Sequence, residues 1–380
     1  MTPAAKDAQL DFVRLSAEEP SSLYFEQFLR DGFSAWPAAY QERFPGLRTW
    51  TGVSGLKQSI RRLTHAPDDW QVLFANRSLS LIHLATRCLF RACRNVMVTD
   101  LSWPTYLHAI EHQASRTGNR VTTAAIRTNI LQAGWSSTEV AACLAEAFTR
   151  NQCDSLFLPA VDHLGIRLPI REIIERIQRG NELRFSLIDA AQAFCHVPLD
   201  DCLSCADFIV AGSHKWMGAY LPTGIGLFGK RRSREMIRHR LRHLGGTHAI
   251  EDPLLQFTEQ IESGRLDGHS ETANLTSLFA CAGAAADLLS TRQTRDENEL
   301  PRINDLIQTM RMPSADWQPV LPADSLRTRI VLFESHVPST QHQCVDAIRQ
   351  TWLDAGYVIT AYPGARVRAS MPNMEPHTAD

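Results

Sequence analysis

The chain has 380 residues with 44% apolar and 21% charged side chains, and its formal net charge is −2 at pH 7. This balance is ordinary for a globular protein and gives the chain as a whole no electrostatic preference for nucleic acid or an anionic membrane. Because the apolar runs are shorter than the roughly 20 residues of a membrane span, and no secretory signal is recognisable, we expect a cytoplasmic protein without membrane or nucleic-acid partners.

Residues 1–50 mix helical patches with aromatic residues and are predicted to form an N-terminal arm. Short apolar runs then alternate with helix-like stretches. The predicted strands are Val72–Ala75, Asn95–Thr99, Arg120–Ala124, Ser155–Pro159, Phe185–Ile188, Phe208–Ala211 and Gly224–Phe228, with helices at Leu79–Cys93, Thr105–Ala114, Thr138–Arg150 and Ile170–Arg179. This alternation is typical of an α/β domain with a mostly parallel, doubly wound sheet.

The pattern becomes helical between about residues 231 and 300 and then changes again. After a polar stretch at 291–299, a second unit is predicted. Its elements are a helix at Gln341–Ala355 and strands at Thr328–Glu334, around Tyr357–Thr360 and at Arg366–Ala369. We therefore predict a large domain over residues 51–290 and a small C-terminal α+β domain over residues 291–380.

Two features are interpreted as structural. Nine cysteines are scattered through apolar segments, which is typical of reduced thiols. Cys202 and Cys205 form a CxxC pair, but no second pair stands at ligand spacing, so no metal site is predicted. The basic run from Lys230 to Arg242 lacks interleaved aromatic residues, and we interpret it as a solvated helix face.

Two consecutive predicted strands end in side chains of opposite charge. Phe185–Ile188 runs into Asp189, and the next strand is followed by Lys215. Open parallel sheets bind ligands at the carboxyl ends of their strands, so we expect one shared pocket. A lysine there is suited to forming an imine with a carbonyl group, and a buried carboxylate is suited to keeping a pyridine nitrogen protonated. The pair indicates pyridoxal phosphate as the cofactor.

A phosphate-binding turn is predicted where the first strand runs into a helix. Arg77 and Ser78 stand at that helix N-terminus, where free N–H groups and the helix dipole attract an anion, and Ser78 suits the N-cap. A plain helix cap is the alternative for Ser78. Trp103 follows another predicted strand and is a candidate for covering the cofactor ring, with an ordinary core position as the alternative.

Several motifs together resemble one protein family. They are Asp189-Ala-Ala-Gln192, Ala206-Asp-Phe208, Ser213-His-Lys-Trp216 and Pro222-Thr-Gly-Ile-Gly226, and the chain resembles the class V aminotransferase family of fold-type I pyridoxal-phosphate enzymes over about residues 70 to 370. This family includes the cysteine desulfurases. The resemblance implies a large domain with a mostly parallel seven-stranded sheet, a small C-terminal α+β domain, pyridoxal 5'-phosphate as cofactor, an amino-acid substrate and a homodimer.

The resemblance also implies roles for residues around the cofactor ring. Lys215 matches the lysine that forms the Schiff base, and Asp189 matches the partner of the pyridine nitrogen. Gln192 matches the glutamine that hydrogen-bonds the phenolic oxygen, and Trp103 stands at the ring-stacking position. Asp162 occupies the place of the asparagine in the family's Asn-x-x-Gly turn.

Phosphate and substrate contacts follow from the same resemblance. Phosphate contacts are implied for Arg77, Ser78, Ser213, His214 and Thr272, with Thr272 reaching the phosphate of a neighbouring subunit. Arg368 is our candidate for the arginine that binds the substrate α-carboxylate, since its fork suits a bidentate pair. For Arg366 a surface role is equally compatible with the sequence.

Three positions depart from the family pattern. Gly212 stands where Ser or Thr is usual, and Glu271 replaces a glycine next to Thr272. Asp162 replaces the asparagine noted above. A carboxylate near a phenolate is repulsive unless one of the two is protonated, so the electronics at Asp162 differ from the family's.

The reaction is less constrained than the cofactor. Cysteine desulfurases need a cysteine on the loop before the carboxylate-binding arginine, but Thr360–Ala365 contains none, and Cys344 is expected to be buried in a helix. We expect a lyase of the β-elimination or C–S cleavage type, with an aminotransferase or epimerase as the alternative. A catalytically impaired partner protein is a third hypothesis. Nicotinamide binding at Gly224–Gly229 is disfavoured, because these glycines lie within a strand.

Overall fold

The computed structural model describes residues 1–19, 26–246, 251–264, 272–291, 303–305, 307–308, 310 and 312–371, with only the backbone given for residues 243–246. Glu271 and residues 292–299 of the predicted polar stretch lie outside these ranges. Within them, every helix is too short or too polar to cross a membrane.

The larger sheet has seven strands in the order β1-β7-β6-β5-β4-β2-β3 within the described residues. The strands are β1 (Gln71–Ala75), β2 (Asn95–Thr99), β3 (Arg120–Ala124), β4 (Ser155–Pro159), β5 (Phe185–Asp189), β6 (Phe208–Gly212) and β7 (Gly224–Phe228). In this sheet β7 runs antiparallel to the other six strands, which are parallel to one another. The predicted mostly parallel, seven-stranded α/β fold is therefore confirmed.

Among the described residues, helices with assigned bounds occur from Pro3 to Asp354. They are α1 (Pro3–Glu18), α2 (Glu26–Asp31), α3 (Ala38–Arg43), α4 (Gly52–Thr64), α5 (Ser78–Ala92), α6 (Pro104–Thr117), α7 (Arg127–Leu131), α8 (Ser137–Arg150), α9 (Ile170–Gln178), α10 (Asp200–Cys205), α11 (Arg231–Gly246), α12 (Pro253–Glu262), α13 (Thr276–Thr291), α14 (Pro338–Gln341) and α15 (Val345–Asp354). Short 3₁₀ turns lie at Phe33–Ala35, Pro45–Thr49 and Asp324–Leu326.

Except for the partly exposed edge strand β3, the strands are largely apolar because both faces of the sheet are covered. Along β1, Val72 and Phe74 pack into a core shared with α4, α8 and α13. The intervening Leu73 and Ala75 pack into a second core shared with α5 and α6. A parallel sheet with helices on both faces needs such uninterrupted apolar runs. That is why the strands could be located from the sequence.

The N-terminal helix belongs to the first of these cores. Phe12 of α1 stacks on Phe279 of α13 with ring centroids 4.2 Å apart, and Trp50 approaches the same ring at 4.6 Å. A side chain at Gly283 would lie only 2.4 Å from the carbonyl oxygen of Ala4, so the two helices touch backbone to backbone at that point. The N-terminal segment is therefore packed firmly on the large sheet's helical layer.

A separate four-stranded antiparallel sheet follows. Its strands are β8 (Trp317–Val320), β9 (Ile330–Ser335), β10 (Thr360–Tyr362) and β11 (Arg366–Ser370), in the order β10-β11-β9-β8. Trp352 of α15 packs against Phe333 and Trp317 in its core. The small α+β unit is thus present, while the exact division at residue 290 stays a prediction.

The single helix predicted over Gln341–Ala355 is wrong. The segment forms α14 and α15, and Cys344 between them has extended backbone (φ −71°, ψ 156°) and occupies the N-cap position of the second helix without a capping hydrogen bond from its side chain. Its thiol is exposed, contrary to the expectation of burial. The isolated apolar positions of this stretch do not distinguish one long helix from two short ones.

One close contact at the start of β7 shapes the turn before α5. A Cβ at Gly224 would lie 2.5 Å from the backbone carbonyl carbon of Arg77 and 2.7 Å from the backbone nitrogen of Ser78. Real Cβ atoms do not approach backbone so closely, so any side chain at this position must displace the turn. The absence of a side chain therefore fixes where the N-terminus of α5 lies.

We predict that Gly224→Ala destabilises the protein by about 1–3 kcal/mol, the usual cost of overpacking. Gly180→Ala is the matched control, because a Cβ there would meet no atom within 4 Å. Thermal unfolding of both variants tests this. Equal melting temperatures for wild type and Gly224→Ala would show that the turn adapts freely.

Candidate active site

A cavity of about 560 Å³ lies where the strands of the large sheet end, with Arg368 of the small sheet also lining it. It contains most of the residues predicted from the sequence: Arg77, Ser78, Trp103, Asp162, Asp189, Gln192, His214, Lys215 and Arg368. The other lining residues are Leu79, Leu101, Thr105, Tyr106, Pro159, Val161, His163, Ala191, Pro222 and Thr223. Its volume is in the range of small-molecule sites.

Lys215 is the lysine that the fold brings into this cavity. The sequence has four lysines, at positions 6, 57, 215 and 230. Lys57 is buried and paired with two glutamates of α12. Lys230 donates to a backbone carbonyl beside α10, and Lys6 lies on the exposed side of α1. An amine that reacts with a cavity ligand can therefore come only from Lys215 among the lysines of this chain.

The surroundings of Lys215 and Asp189 push both groups towards their neutral forms. Asp189 ends β5, is 6% exposed and accepts a hydrogen bond from the backbone N–H of Ala191 at 2.9 Å. Burial raises the pKa of Asp189 to about 6, although the nearby Lys215 acts in the opposite direction. The amine is open to the cavity, yet the protein packed around it lowers the pKa of Lys215; Asp189 opposes this shift and Arg368 adds to it.

Gln192 is oriented by a buried network that the sequence did not reveal. The indole N–H of Trp216 donates to Gln192 Oε1 at 3.0 Å, so the amide NH₂ is the end left to donate. His196 stacks on Trp216 with centroids 3.7 Å apart. Its Nε2 accepts the backbone N–H of Arg329 at 3.1 Å, and its Nδ1 lies 2.8 Å from the backbone oxygen of Gln192. Nδ1 therefore carries the proton.

This network also ties the large sheet to the small one. Arg329 directly precedes β9, and its guanidinium donates to the backbone oxygen of His196 at 3.0 Å and lies over the Trp216 ring at 5.3 Å. Burial, helped by the Arg329 charge, lowers the pKa of His196 to about 3, so the imidazole stays neutral. A neutral ring preserves the donor and acceptor pattern that positions Gln192.

The turn before α5 is built as predicted, with one correction. Arg77 rather than Ser78 occupies the N-cap position, and Ser78 is the first helical residue. The Ser78 hydroxyl lies 2.5 Å from the phenolic oxygen of Tyr106 instead of capping the helix. The Asp252 carboxylate accepts a hydrogen bond at 3.0 Å from the backbone N–H of Asn76, which precedes this turn, and it also caps α12. In the sequence, only the Asp-Pro pair at the start of α12 indicated a role for Asp252.

Arg368 enters the cavity from β11. Its guanidinium donates to the backbone oxygen of His163 at 3.3 Å and to the Thr360 hydroxyl at 3.1 Å, while Nε has no partner among the described residues. Arg366 instead forms an ion pair with Glu334 at 2.8 Å and is largely exposed. The geometry therefore favours Arg368 for anion binding inside the cavity.

Trp103 and His214 stand at the mouth of the cavity. Trp103 is 44% exposed and meets the ring of His163 edge-on at 5.4 Å, so it is not a core residue. His214 follows β6, and a Cβ at Gly212 would lie 3.3 Å from its ring. The glycine that departs from the family pattern therefore leaves room for the imidazole.

Two predicted phosphate contacts are not brought into the cavity of the single chain. Ser213 is fully buried; its hydroxyl accepts the N–H of Thr223 at 2.9 Å and donates to the carbonyl of Leu221 at 3.0 Å. It thus stabilises the turn that carries Lys215. Thr272 is exposed and does not line the cavity. Their roles at the phosphate stay predictions.

The cysteines do not form a metal centre in the described part of the chain. Cys202 and Cys205 lie on α10 and are buried, and burial raises the pKa of both thiols. No group of three or more His, Cys, Asp or Glu side chains suited to a metal ion occurs among the described residues. None of the described residues that line the cavity is a cysteine.

Comparison with known families gives the geometry its context. Residues 44–304, more than half of the chain, match the family described as Aminotransferase class-V. The chain belongs to the class V aminotransferase family. Enzymes of this family use pyridoxal 5'-phosphate, and the cofactor inferred from Lys215 and Asp189 agrees with the assignment.

A curated relative matches part of this class V enzyme. A probable cysteine desulfurase from Streptomyces coelicolor is 39% identical over 88 residues, which is 23% of this chain and 19% of that protein. The match therefore spans about a fifth of the relative's length.

Solved structures share the fold at low identity. The cystine C–S lyase C-DES in complex with cysteine persulfide has a TM-score of 0.65 at 15% identity, covering 97% of this chain and 89% of that one. The cysteine desulfurase CsdA from Escherichia coli has a TM-score of 0.64 at 15% identity, with 97% and 86% covered. Ureidoglycine–glyoxylate aminotransferase from Bacillus subtilis has a TM-score of 0.61 at 14% identity, with 84% and 78% covered.

The Trp216 hydrogen bond gives a prediction for this class V enzyme. Trp216→Phe keeps an aromatic ring against His196 but removes the donor to Gln192, so cofactor affinity should fall about threefold to tenfold, the value of one hydrogen bond. Trp352→Phe is the control, because its indole N–H has no partner among the described residues. Cofactor dissociation constants measure both. Wild-type affinity in Trp216→Phe would mean that Gln192 needs no fixed orientation.

Proposed function

We propose that this class V enzyme is a pyridoxal-phosphate-dependent lyase that acts on an amino acid or an amino-acid conjugate by β-elimination, with cleavage of a C–S bond as the favoured case. The observation that carries the proposal is the meeting of three groups in one cavity. Lys215 and Asp189 come from adjacent strand ends of the large sheet, and Arg368 comes from the small sheet.

The donor set fits the cofactor. Lys215 offers an amine of lowered pKa, and Asp189 offers a buried carboxylate to hold a proton on the ring nitrogen. The first turn of α5, with Arg77 and Ser78, offers backbone N–H groups and a hydroxyl for the phosphate. The Gln192 amide and the Trp103 ring complete the set. Bound pyridoxal phosphate supplies an electron-withdrawing ring that stabilises negative charge on the substrate Cα.

Substrate positioning follows from Arg368. Its guanidinium is already held by His163 and Thr360, so little side-chain freedom is lost when it binds an α-carboxylate. A carboxylate fixed there orients the Cα–H bond of the substrate. The Lys215 Nζ atom then acts as the general base that removes the Cα proton, because its lowered pKa leaves more of the amine unprotonated.

The preference for a lyase rests on two observations. The solved C–S lyase and cysteine desulfurase structures align with 97% of this chain, whereas the ureidoglycine–glyoxylate aminotransferase aligns with 84%. A desulfurase thiol is also missing, since Thr360–Ala365 contains no cysteine and Cys344, at the N-cap position of α15, does not line the cavity. Elimination needs only the proton transfer at Lys215 and departure of the sulfur with the bonding electrons.

An aminotransferase is the second candidate, because the same three residues serve that reaction and aminotransferases share the fold. It differs by requiring a keto acid as amino acceptor.

We also propose a homodimer in which Thr272 reaches the phosphate site of the other subunit. The exposed position of this threonine outside its own chain's cavity supports that arrangement.

A substrate screen tests the reaction. With cystine or S-substituted cysteines we expect pyruvate and ammonia in equal amounts, and Lys215→Ala should lower the rate by about 10²- to 10⁴-fold, the contribution of a general base. If amino acids react only when a keto acid is supplied, and no pyruvate forms, the protein is an aminotransferase.

Arg368→Lys should lower kcat/KM by about 10- to 100-fold, because a charge-assisted, two-point contact to the α-carboxylate is lost. Arg366→Lys is a control on the same strand, since that side chain pairs with Glu334 at the surface. Steady-state kinetics measure both variants. Equal losses in the two would remove Arg368 from the substrate site.

A further inference from the structure

Asp162 is a buried acid in the cavity wall that the mechanism above does not use as a charge. It follows β4, and its turn closes through Gly165 at φ +96°. The carboxylate is fully buried, although the residue lines the cavity.

The two oxygens of Asp162 have different surroundings. Oδ1 accepts the backbone N–H groups of Leu164 at 2.9 Å and Ile166 at 2.8 Å. Oδ2 is buried and has no hydrogen-bond partner among the described residues. A buried oxygen without a partner is unfavourable as a carboxylate and favourable as a hydroxyl that donates to a bound ligand.

Among the described residues, no Lys or Arg side chain forms an ion pair with Asp162. His163 Nδ1 is 4.0 Å from Oδ2, too far for a hydrogen bond, and the described Lys and Arg nitrogens all lie further away. Burial lowers the pKa of His163 to about 4, helped by Arg127, Arg368 and Lys215, so its ring is neutral near pH 7.

The other charged or titratable groups facing this turn are Arg127 at the start of α7 and Tyr362 on β10. The Arg127 guanidinium donates to the backbone carbonyl of Asp100. Burial raises the pKa of Asp162 to about 7, although its backbone hydrogen bonds and Arg127 act in the opposite direction.

We propose that Asp162 works as a neutral carboxylic acid whose Oδ2–H donates a hydrogen bond to an anionic oxygen bound in the cavity. Resting on the proposed function, that oxygen is the phenolic oxygen of the cofactor. The neutral acid reproduces both halves of an asparagine amide: one oxygen accepts the backbone N–H groups of the turn, and the other end donates into the site. Unlike an amide, it loses the donor when the pH rises, so Asp162 adds a pH-dependent control to the site.

The test compares the wild type with Asp162→Asn by infrared difference spectroscopy of the purified protein. We expect a carboxylic-acid C=O band at pH 6 that is missing from Asp162→Asn, shifts in D₂O and disappears above pH 8. If the band is missing at pH 6, Asp162 is ionised and the proposal is wrong. The band does not depend on catalysis or cofactor chemistry, so its loss and a failure of the lyase proposal are distinguishable.

Thermal unfolding gives a second measurement. The pKa of Asp162 near 7 in the folded state exceeds its unfolded value near 3.8. The contribution of Asp162 to the free energy of unfolding is therefore fully present below pH 3.8 and is lost as the pH rises through 7. The melting temperature of the wild type should therefore fall relative to Asp162→Asn between pH 5 and pH 8. A constant difference over that range would contradict a titrating Asp162.

Discussion

The attraction between a carboxylate and an amine that both lack full solvation is the constraint on which the rest of the site depends. Parallel pairing of β5 with β6 places Asp189 opposite Val210, and the next turn carries Lys215 into the same cavity. Burial works against both charges, raising the pKa of the acid and lowering that of the amine, while their mutual attraction limits both shifts. This balance leaves a reactive amine beside an acid that can hold a proton on a ring nitrogen.

The surrounding structure keeps this pair in place from two sides. On the large sheet, the hydroxyl of Ser213 braces the turn that carries Lys215. On the small sheet, β11 presents Arg368 and the segment before β9 presents Arg329, whose backbone N–H binds His196. The proposed site therefore depends on both sheets, since Asp189 and Lys215 come from the large sheet and Arg368 comes from the small one.

The sequence predicted the large sheet and most of the cavity because both depend on local patterns. The bounds of β2, β4 and β7 match the predicted runs, as strands buried on both faces are largely apolar segments between polar ones. The edge strand β3 also has its predicted bounds, although it is partly exposed. Asp189 and Lys215 were predictable because they stand at strand ends, where open parallel sheets bind ligands, and Gln192 and Arg368 were predictable from the family resemblance.

Long-range contacts and short irregular elements could not be predicted. The hydrogen bond between His196 and Arg329 joins residues far apart in the chain, and no local sequence pattern predicts it. Pro319 interrupts the short apolar run of β8, so this strand was not predictable. The few apolar positions around Cys344 do not distinguish one long helix from two short ones. Asp162 was recognised as a departure, but its burial and its unpartnered Oδ2 required the fold.

Borohydride reduction followed by peptide mass spectrometry tests the central claim most directly, because it fixes a cofactor aldehyde on the amine that binds it. The chain offers only four lysines, at positions 6, 57, 215 and 230, so the assignment is unambiguous. The account predicts a pyridoxal phosphate mass increment on the peptide containing Lys215 and its loss in Asp189→Ala, in which the ring nitrogen has no acidic partner. An unmodified Lys215 peptide, or an increment on another lysine, would contradict it.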